Sequence, residues 1–148
     1  MKKVRNTMKL VLPSLSVNEG MARAAVAAFC SQLDPSALFL ADIKCAVSEA
    51  VTNCIVHAYR ESAGNIYITV KLLDDAAEVV IRDRGCGIPD VKKAREPLFT
   101  TDAEGERSGM GFTVMESFCD RVRVKSKPGS GTTVTLLKKL VQKDVPSP

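Results

Sequence analysis

The sequence predicts an α+β fold in two layers, with helices gathered on one face of a mixed, mostly antiparallel sheet. Three observations predict it. Runs rich in β-branched residues, such as Ile66-Tyr67-Ile68-Thr69-Val70 and Glu78-Val79-Val80-Ile81, are joined by short polar breaks rather than by crossover helices. Two stretches of helical character follow one another early in the chain. The closing segment reads strand, Pro128-Gly129-Ser130-Gly131, strand, the form of a hairpin. Helices and strands grouped in this way segregate into separate layers.

Taken in order, Met8 to Leu15 has the composition of a short strand, and as the first strand it is a candidate edge. Ser16 or Asn18 is placed to cap a helix through Met21 to Phe29, which is rich in good helix formers. Asp34-Pro35 reads as a second helix start, and Leu38, Ile43, Val47, Val51 and Ile55 carry that helix to about Tyr59. Ala63-Gly64-Asn65 breaks the chain before a strand from Ile66 to Leu72, and Asp74-Asp75 turns it into the next. From Pro89 to Arg107 the sequence is polar and proline-interrupted, a long loop with one helical turn; loops of that length are usually functional. A helix over Thr113 to Phe118 and a hairpin of Arg121–Ser126 with Thr132–Leu137 complete a single domain, 1–142, with a lid at about 90–110. Residues 143–148 read as a disordered tail.

Composition narrows the function. A chain of 148 residues is the size of one domain with a full core. Its five cysteines are odd in number and form no C-x-x-C pair, which argues against a disulfide framework and fits a reducing cytosol. The one histidine excludes a multi-histidine metal centre. The start, MKKVRNTMKLVLPS, has too short an apolar run for a signal peptide, and no stretch is long enough to span a membrane. Net charge is +4, with acids and bases interspersed and no alternating aromatics, so direct nucleic-acid binding is not expected. The expected location is the cytoplasm, without membrane attachment.

Two glycine motifs stand out: Arg82-Asp83-Arg84-Gly85-Cys86-Gly87-Ile88-Pro89 after a strand, and Ser108-Gly109-Met110-Gly111-Phe112 before a helix. Either alone reads as a turn. Combined with Ser48-Glu49-Ala50-Val51-Thr52-Asn53-Cys54-Ile55-Val56-His57, they read as a nucleotide site. Glu49, Asn53 and His57 recur every four residues and form one polar stripe. A carboxylate and an amide oxygen suit Mg²⁺ completed by water and phosphate. The glycine-flanked helix start presents N–H groups to phosphates. Asp83, beside a hollow shaped by glycines, offers an acceptor to an exocyclic amine.

The order Glu-x-x-x-Asn, Asp-x-Gly-x-Gly, Gly-x-Gly, Gly-Thr resembles the GHKL nucleotide-binding family, which includes histidine kinases, chaperones and type II topoisomerases. More closely, SEAVTNCIVHAY, IRDRGCGIPD, PLFTTDAEGERSGMGFTVMESF and ARAAVAAF with SQLDP resemble the sporulation anti-sigma-F factors over nearly the whole chain. That resemblance implies a Bergerat-type fold and an ATP- and Mg²⁺-dependent protein serine kinase. It also implies a homodimer that binds and inhibits a sigma-F-type sigma factor and phosphorylates an anti-anti-sigma factor. By the same resemblance, Glu49 is the general base and Asn53 holds Mg²⁺. Asp83 reads adenine with Gly85 and Gly87, and Thr132 finishes the adenine end.

For the phosphates the resemblance points to Gly109, Met110 and Gly111, with Thr100, Thr101, Ser108 and Arg107 in the lid. Where many relatives have Thr-Thr-Lys, this chain has Thr100-Thr101-Asp102, which leaves Arg107 as the substitute cation or as a solvated loop residue. His57 either lines the phosphate region or is a satisfied helix histidine, and Arg23 either faces the partners or is an ordinary exposed residue. Two other readings stay open: an anti-sigma clamp in which nucleotide only sets the conformation, and an orphan histidine-kinase catalytic domain. Glu49 opposes the first, since a clamp needs no base. The position of the only histidine, inside the nucleotide motif, opposes the second.

Overall fold

The computed structural model describes residues 3–60, 63–96 and 111–140. Five strands form one sheet: β1 (Val4–Pro13), β2 (Asn65–Leu73), β3 (Ala76–Arg82), β4 (Arg121–Lys127) and β5 (Gly131–Lys139), in the order β1-β2-β3-β5-β4. All four pairings are antiparallel, so the mixed character expected of the sheet is absent among the described residues. The reason lies in the connections. Two helices, α1 (Asn18–Cys30) and α2 (Ala37–Asn53), separate β1 from β2, and a pair of helices returns the chain to the sheet end that it left. As expected, β1 is an edge strand.

Alternation along the strands decides what the helices cover. Ile66, Ile68, Val70 and Leu72 of β2, Ala77, Val79 and Ile81 of β3, and Val134 and Leu136 of β5 point to one side and are buried. Against them pack Ala22 and Val26 of α1, Ile43, Val47 and Val51 of α2, and Met115 of α4 (Gly111–Phe118). Each buried aliphatic side chain contributes about 1.5–3 kcal/mol of transfer free energy.

Two helix starts differ from expectation. Neither Ser16 nor Asn18 caps α1 with its side chain; the Asn18 amide donates instead to the Pro13 carbonyl at 2.9 Å. Ser36, not Asp34, caps α2, its Oγ accepting from Phe39 N at 3.0 Å. Asp34 is in the left-handed region at φ 53°, which ends the preceding 3₁₀ turn, so the helix begins only after Pro35. The far end of α2 widens into a π turn over Cys54–Ala58, closed by Tyr59 N to Cys54 O at 3.1 Å. Such widenings are common at functional sites.

Beyond Pro89 a single helical turn forms, α3 (Val91–Ala94), capped by Asp90. Of the expected lid only the part up to Glu96 is described. Thr100, Thr101, Arg107, Ser108, Gly109, Met110 and the tail lie outside the described residues. Among the described residues no helix is long and apolar enough to cross a membrane.

One buried cation fixes α4 in place. Lys138 of β5 points into the helix layer, where its ammonium donates to the Phe118 carbonyl at 2.6 Å and stands 3.4 Å from Asp42. It also lies 5.6 Å from the centre of the Phe39 ring. A buried charge persists only when compensated in this way.

Candidate nucleotide site

Asp83 follows directly on β3, and its neighbours hold it from three directions. Its N–H donates to Thr132 O at 2.9 Å. Its Oδ1 accepts from Gly85 N at 2.9 Å and from Thr132 N at 3.2 Å, while Oδ2 receives the Cys54 thiol at 3.6 Å. Only 5% of the residue is exposed. Burial raises its carboxyl above the ordinary aspartate range, and the donors from Gly85, Thr132 and Cys54 offset part of the rise. A thiol is a weak donor, so Oδ2 keeps acceptor capacity for a stronger one.

Gly85 and Gly87 make this placement possible by admitting backbone. A Cβ on Gly85 would overlap the Ala58 carbonyl at the end of the π turn. Gly87, at φ 77°, lies against the Lys127 carbonyl in the same way. The loop threads this gap and is tied on both sides, Cys86 N donating to Ala58 O at 3.1 Å and Gly129 N to Cys86 O at 2.8 Å. Thr132 sits on the inward face of β5, its hydroxyl 2.8 Å from that of Ser126, which also accepts from Ile88 N at 2.7 Å.

Sequence reasoning missed Cys54, Ser126 and Tyr59. Cys54 follows Asn53 on the same helix, which was the available signal. Burial, followed by the adjacent carboxylate, raises its thiol well above the usual value, so it stays protonated and able to donate. The Tyr59 hydroxyl accepts from Arg84 N at 2.6 Å and donates to Asn65 O at 2.7 Å, and only the fold brings these groups together.

In the helix layer, α4 starts over α2. A Cβ built on Gly111 would stand 3.4 Å from both Asn53 Oδ1 and Glu49 Oε2. The half-buried Glu49 and Asn53 therefore converge on the first residue of the helix that follows the second glycine motif. His57 is half-buried in the π turn, and its carbonyl receives the Cys86 thiol at 3.2 Å. Among the described residues no group of three or more histidine, cysteine or acidic side chains is placed to hold a metal. Mg²⁺ does not need one, since it binds through one or two protein oxygens and takes the rest from water and phosphate. Two oxygens meeting beside Gly111 fit that requirement. Arg23 stands on α1, its guanidinium paired with Glu19 at 3.0 Å.

Residues 12–138 match the protein family described as a histidine kinase-like ATPase domain. The anti-sigma F factor of Bacillus licheniformis is 53% identical over 138 residues, which is 93% of this chain and 94% of that protein. That of Caldanaerobacter subterraneus is 54% identical over 133 residues, 90% of this chain and 93% of the relative. The chain belongs to the anti-sigma F factor family. Solved structures bear on the fold alone. The RsbU and RsbW domains of a Mycobacterium tuberculosis protein superpose with a TM-score of 0.67 at 22% identity, over 91% of this chain and 32% of that one. A histidine kinase domain from the blue-light activated kinase of Erythrobacter litoralis gives 0.54 at 19% identity, over 82% of this chain and 61% of that one.

In this family setting the two ends acquire distinct chemistry. Asp83 is a buried acceptor held by the Gly85 and Thr132 N–H groups. Glu49, Asn53 and the Gly111 end of α4 are a carboxylate, an amide oxygen and a helix start gathered in the helix layer.

Proposed function

We propose that this chain is an ATP-dependent protein serine kinase that also binds and inhibits a sigma-F-type sigma factor. The observation that carries the kinase reading is the convergence of Glu49 and Asn53 on Gly111, with Asp83 held separately by Gly85 and Thr132. A carboxylate beside the start of a phosphate-facing helix suits proton removal from a serine hydroxyl. Asp83 accepts the adenine amine, Gly85, Gly87 and Thr132 keep it in place, and Asn53 is the ligand for Mg²⁺. When bound, Mg²⁺ supplies charge neutralisation on the phosphates.

In the reaction Glu49 takes the proton as the serine oxygen bonds to the γ-phosphorus, and the bond to the β,γ-bridging oxygen breaks to leave ADP. Gly109, Met110 and Gly111 present N–H groups to the phosphates. Thr100, Thr101, Ser108 and Arg107 close over them, and His57 lines the same region. The substrate is an anti-anti-sigma factor. The chain works as a homodimer in the cytoplasm, and Arg23 faces both protein partners. Support for the partners comes from the relatives' name and the edge position of β1.

The test is incubation with labelled ATP, the cognate sigma factor and the candidate anti-anti-sigma factor, followed by acid. Acid-stable label on a serine of the anti-anti-sigma factor is expected. Acid-labile label on histidine would reject the serine reading, and sigma binding without any transfer would leave only a clamp.

A further inference from the structure

The side of the sheet turned away from the helices carries a row of cationic and polar side chains. In register, Val11, Tyr67, Arg82, Thr133 and Lys125 form one row across all five strands on that face. At the β3–β5–β4 end lies an open cleft of about 570 Å³, lined by Arg82, Arg84, Lys125, Lys127, Ser130 and Thr133 among others. Asp83 borders it, but its carboxylate is turned through the sheet toward Cys54. Ser126, Gly131 and Thr132 border it as well, so the cleft adjoins the Asp83 end of the nucleotide site, while its strand cations Arg82, Lys125 and Lys127 belong to the face turned away from the helices.

The guanidiniums of Arg82 and Arg84 both stack on the Tyr67 ring, at 4.8 and 4.9 Å from its centre. Stacking satisfies the flat faces of the two groups and leaves their N–H forks directed outward. It also holds two like charges together. Among the described residues, none of the four cations in the cleft is paired with a carboxylate. Lys9, Lys71, Arg121 and Arg123 extend the positive charge along the same face, where Glu78 is the one acid on the described strands.

We infer that this cleft binds an extended acidic segment, rich in Asp and Glu, of a partner protein. Paired arginine forks match carboxylates two N–H groups at a time. From Tyr67 on β2 to Lys125 on β4 the row crosses three strand spacings, about 14 Å. That span exceeds a single phosphate and suits about four residues of extended chain. A nucleic acid fits less well, because the one aromatic ring on the face is already stacked by two guanidiniums and offers no platform to a base.

The test uses the full chain saturated with ATP and a fluorescein-labelled hexaglutamate peptide, read by anisotropy at low and physiological salt. Binding that weakens with salt is expected, as exposed pairs are screened over about 8 Å at physiological ionic strength. Amide shifts should centre on Arg82, Lys125 and Thr133. Arg82→Gln/Arg84→Gln should weaken binding about tenfold or more. Lys125→Gln/Lys127→Gln should act in the same direction, with melting curves confirming that both variants fold. Equal affinity in the variants overturns the inference. Stronger competition by a hexathymidine oligonucleotide or by inorganic phosphate than by unlabelled hexaglutamate overturns it too.

Discussion

At the base end of the proposed site, Asp83 is gripped by backbone N–H groups of Gly85, in the loop after β3, and of Thr132 on β5, with the Cys54 thiol behind it. At the phosphate end, Glu49 and Asn53 stand one turn apart on a single helix and meet a glycine that belongs to another. The first arrangement is complete in the folded chain, the carboxylate being held by two main-chain N–H donors whose own positions are set by the loop and the strand. The second is an encounter between two elements whose fit depends on how α4 lies on α2. On the proposed reading, recognition of the base rests on the sheet and transfer chemistry on helix packing. The two ends should therefore fail separately.

The largest separation is expected from Glu49→Gln. Loss of a positioned base lowers phosphoryl transfer by about 10²–10⁴-fold. The base end is untouched, so ATP affinity should stay within about twofold, which titration calorimetry beside a transfer assay would check. Unimpaired transfer would remove Glu49 from the chemistry.

Next is Gly131→Ala, which strikes the frame of the base end. Gly131 has φ 104°, and a Cβ there would run into the Asp83 carbonyl. The backbone strain alone costs about 1–3 kcal/mol, and the overlap adds to it. Urea unfolding should show that loss. ATP affinity should fall with it, because the Thr132 N–H that holds Asp83 is the next residue.

Asp83→Asn should weaken ATP by about 1–3 kcal/mol without harming sigma binding. Wild type should prefer ATP to GTP, since a guanine carbonyl would face a carboxylate, and competition against a fluorescent ATP analogue measures both effects. The pH dependence is specific. Asp83 titrates above the ordinary aspartate range, so acidification protonates the acceptor, and ATP affinity should fall as pH drops through that raised value. Stability moves oppositely. Between the unfolded and the raised folded pKa the folded chain binds more protons, so the contribution of this group to stability decreases as pH rises. Both dependences should vanish in Asp83→Asn.

The smallest effect belongs to Cys54→Ala. It removes one weak donor to Oδ2 and should cost about 1 kcal/mol of stability. ATP affinity should be unchanged, because the backbone donors to Oδ1 remain.

This contrast also governs how much could be read in advance. The order of the elements, the edge position of β1 and the closing hairpin were legible because period-2 and helical patterns report which face is buried. Glu49 and Asn53 were legible for the same reason, being four residues apart on one helix. Asp83 and Thr132 entered through the family resemblance, but the network around them was not legible, because Cys54, Ser126 and Gly131 join it through strand register and packing that leave little trace in local composition. Gly85 and Gly87 were recognised as special, but what they accommodate here is the Ala58 and Lys127 carbonyls. The basic face was within reach and overlooked: Arg121, Arg123, Lys125 and Lys127 alternate strictly, and that spacing places all four on one side of β4.

Lys138 gives α4 a mechanical character. Eight residues make a rod of about 12 Å. Its far end is clamped by the Lys138 bond to the Phe118 carbonyl, and its middle is seated by buried Met115. Anchored at its far end and its middle, the rod has its first residue, Gly111, as the end held by the fewest of these contacts. Glu116 follows Met115 and is paired with Arg95, which also donates to the Val122 carbonyl at 3.1 Å. Through Arg95 the helix is tied to the end of the α3 turn and to β4, the strand that carries the basic row on its other side.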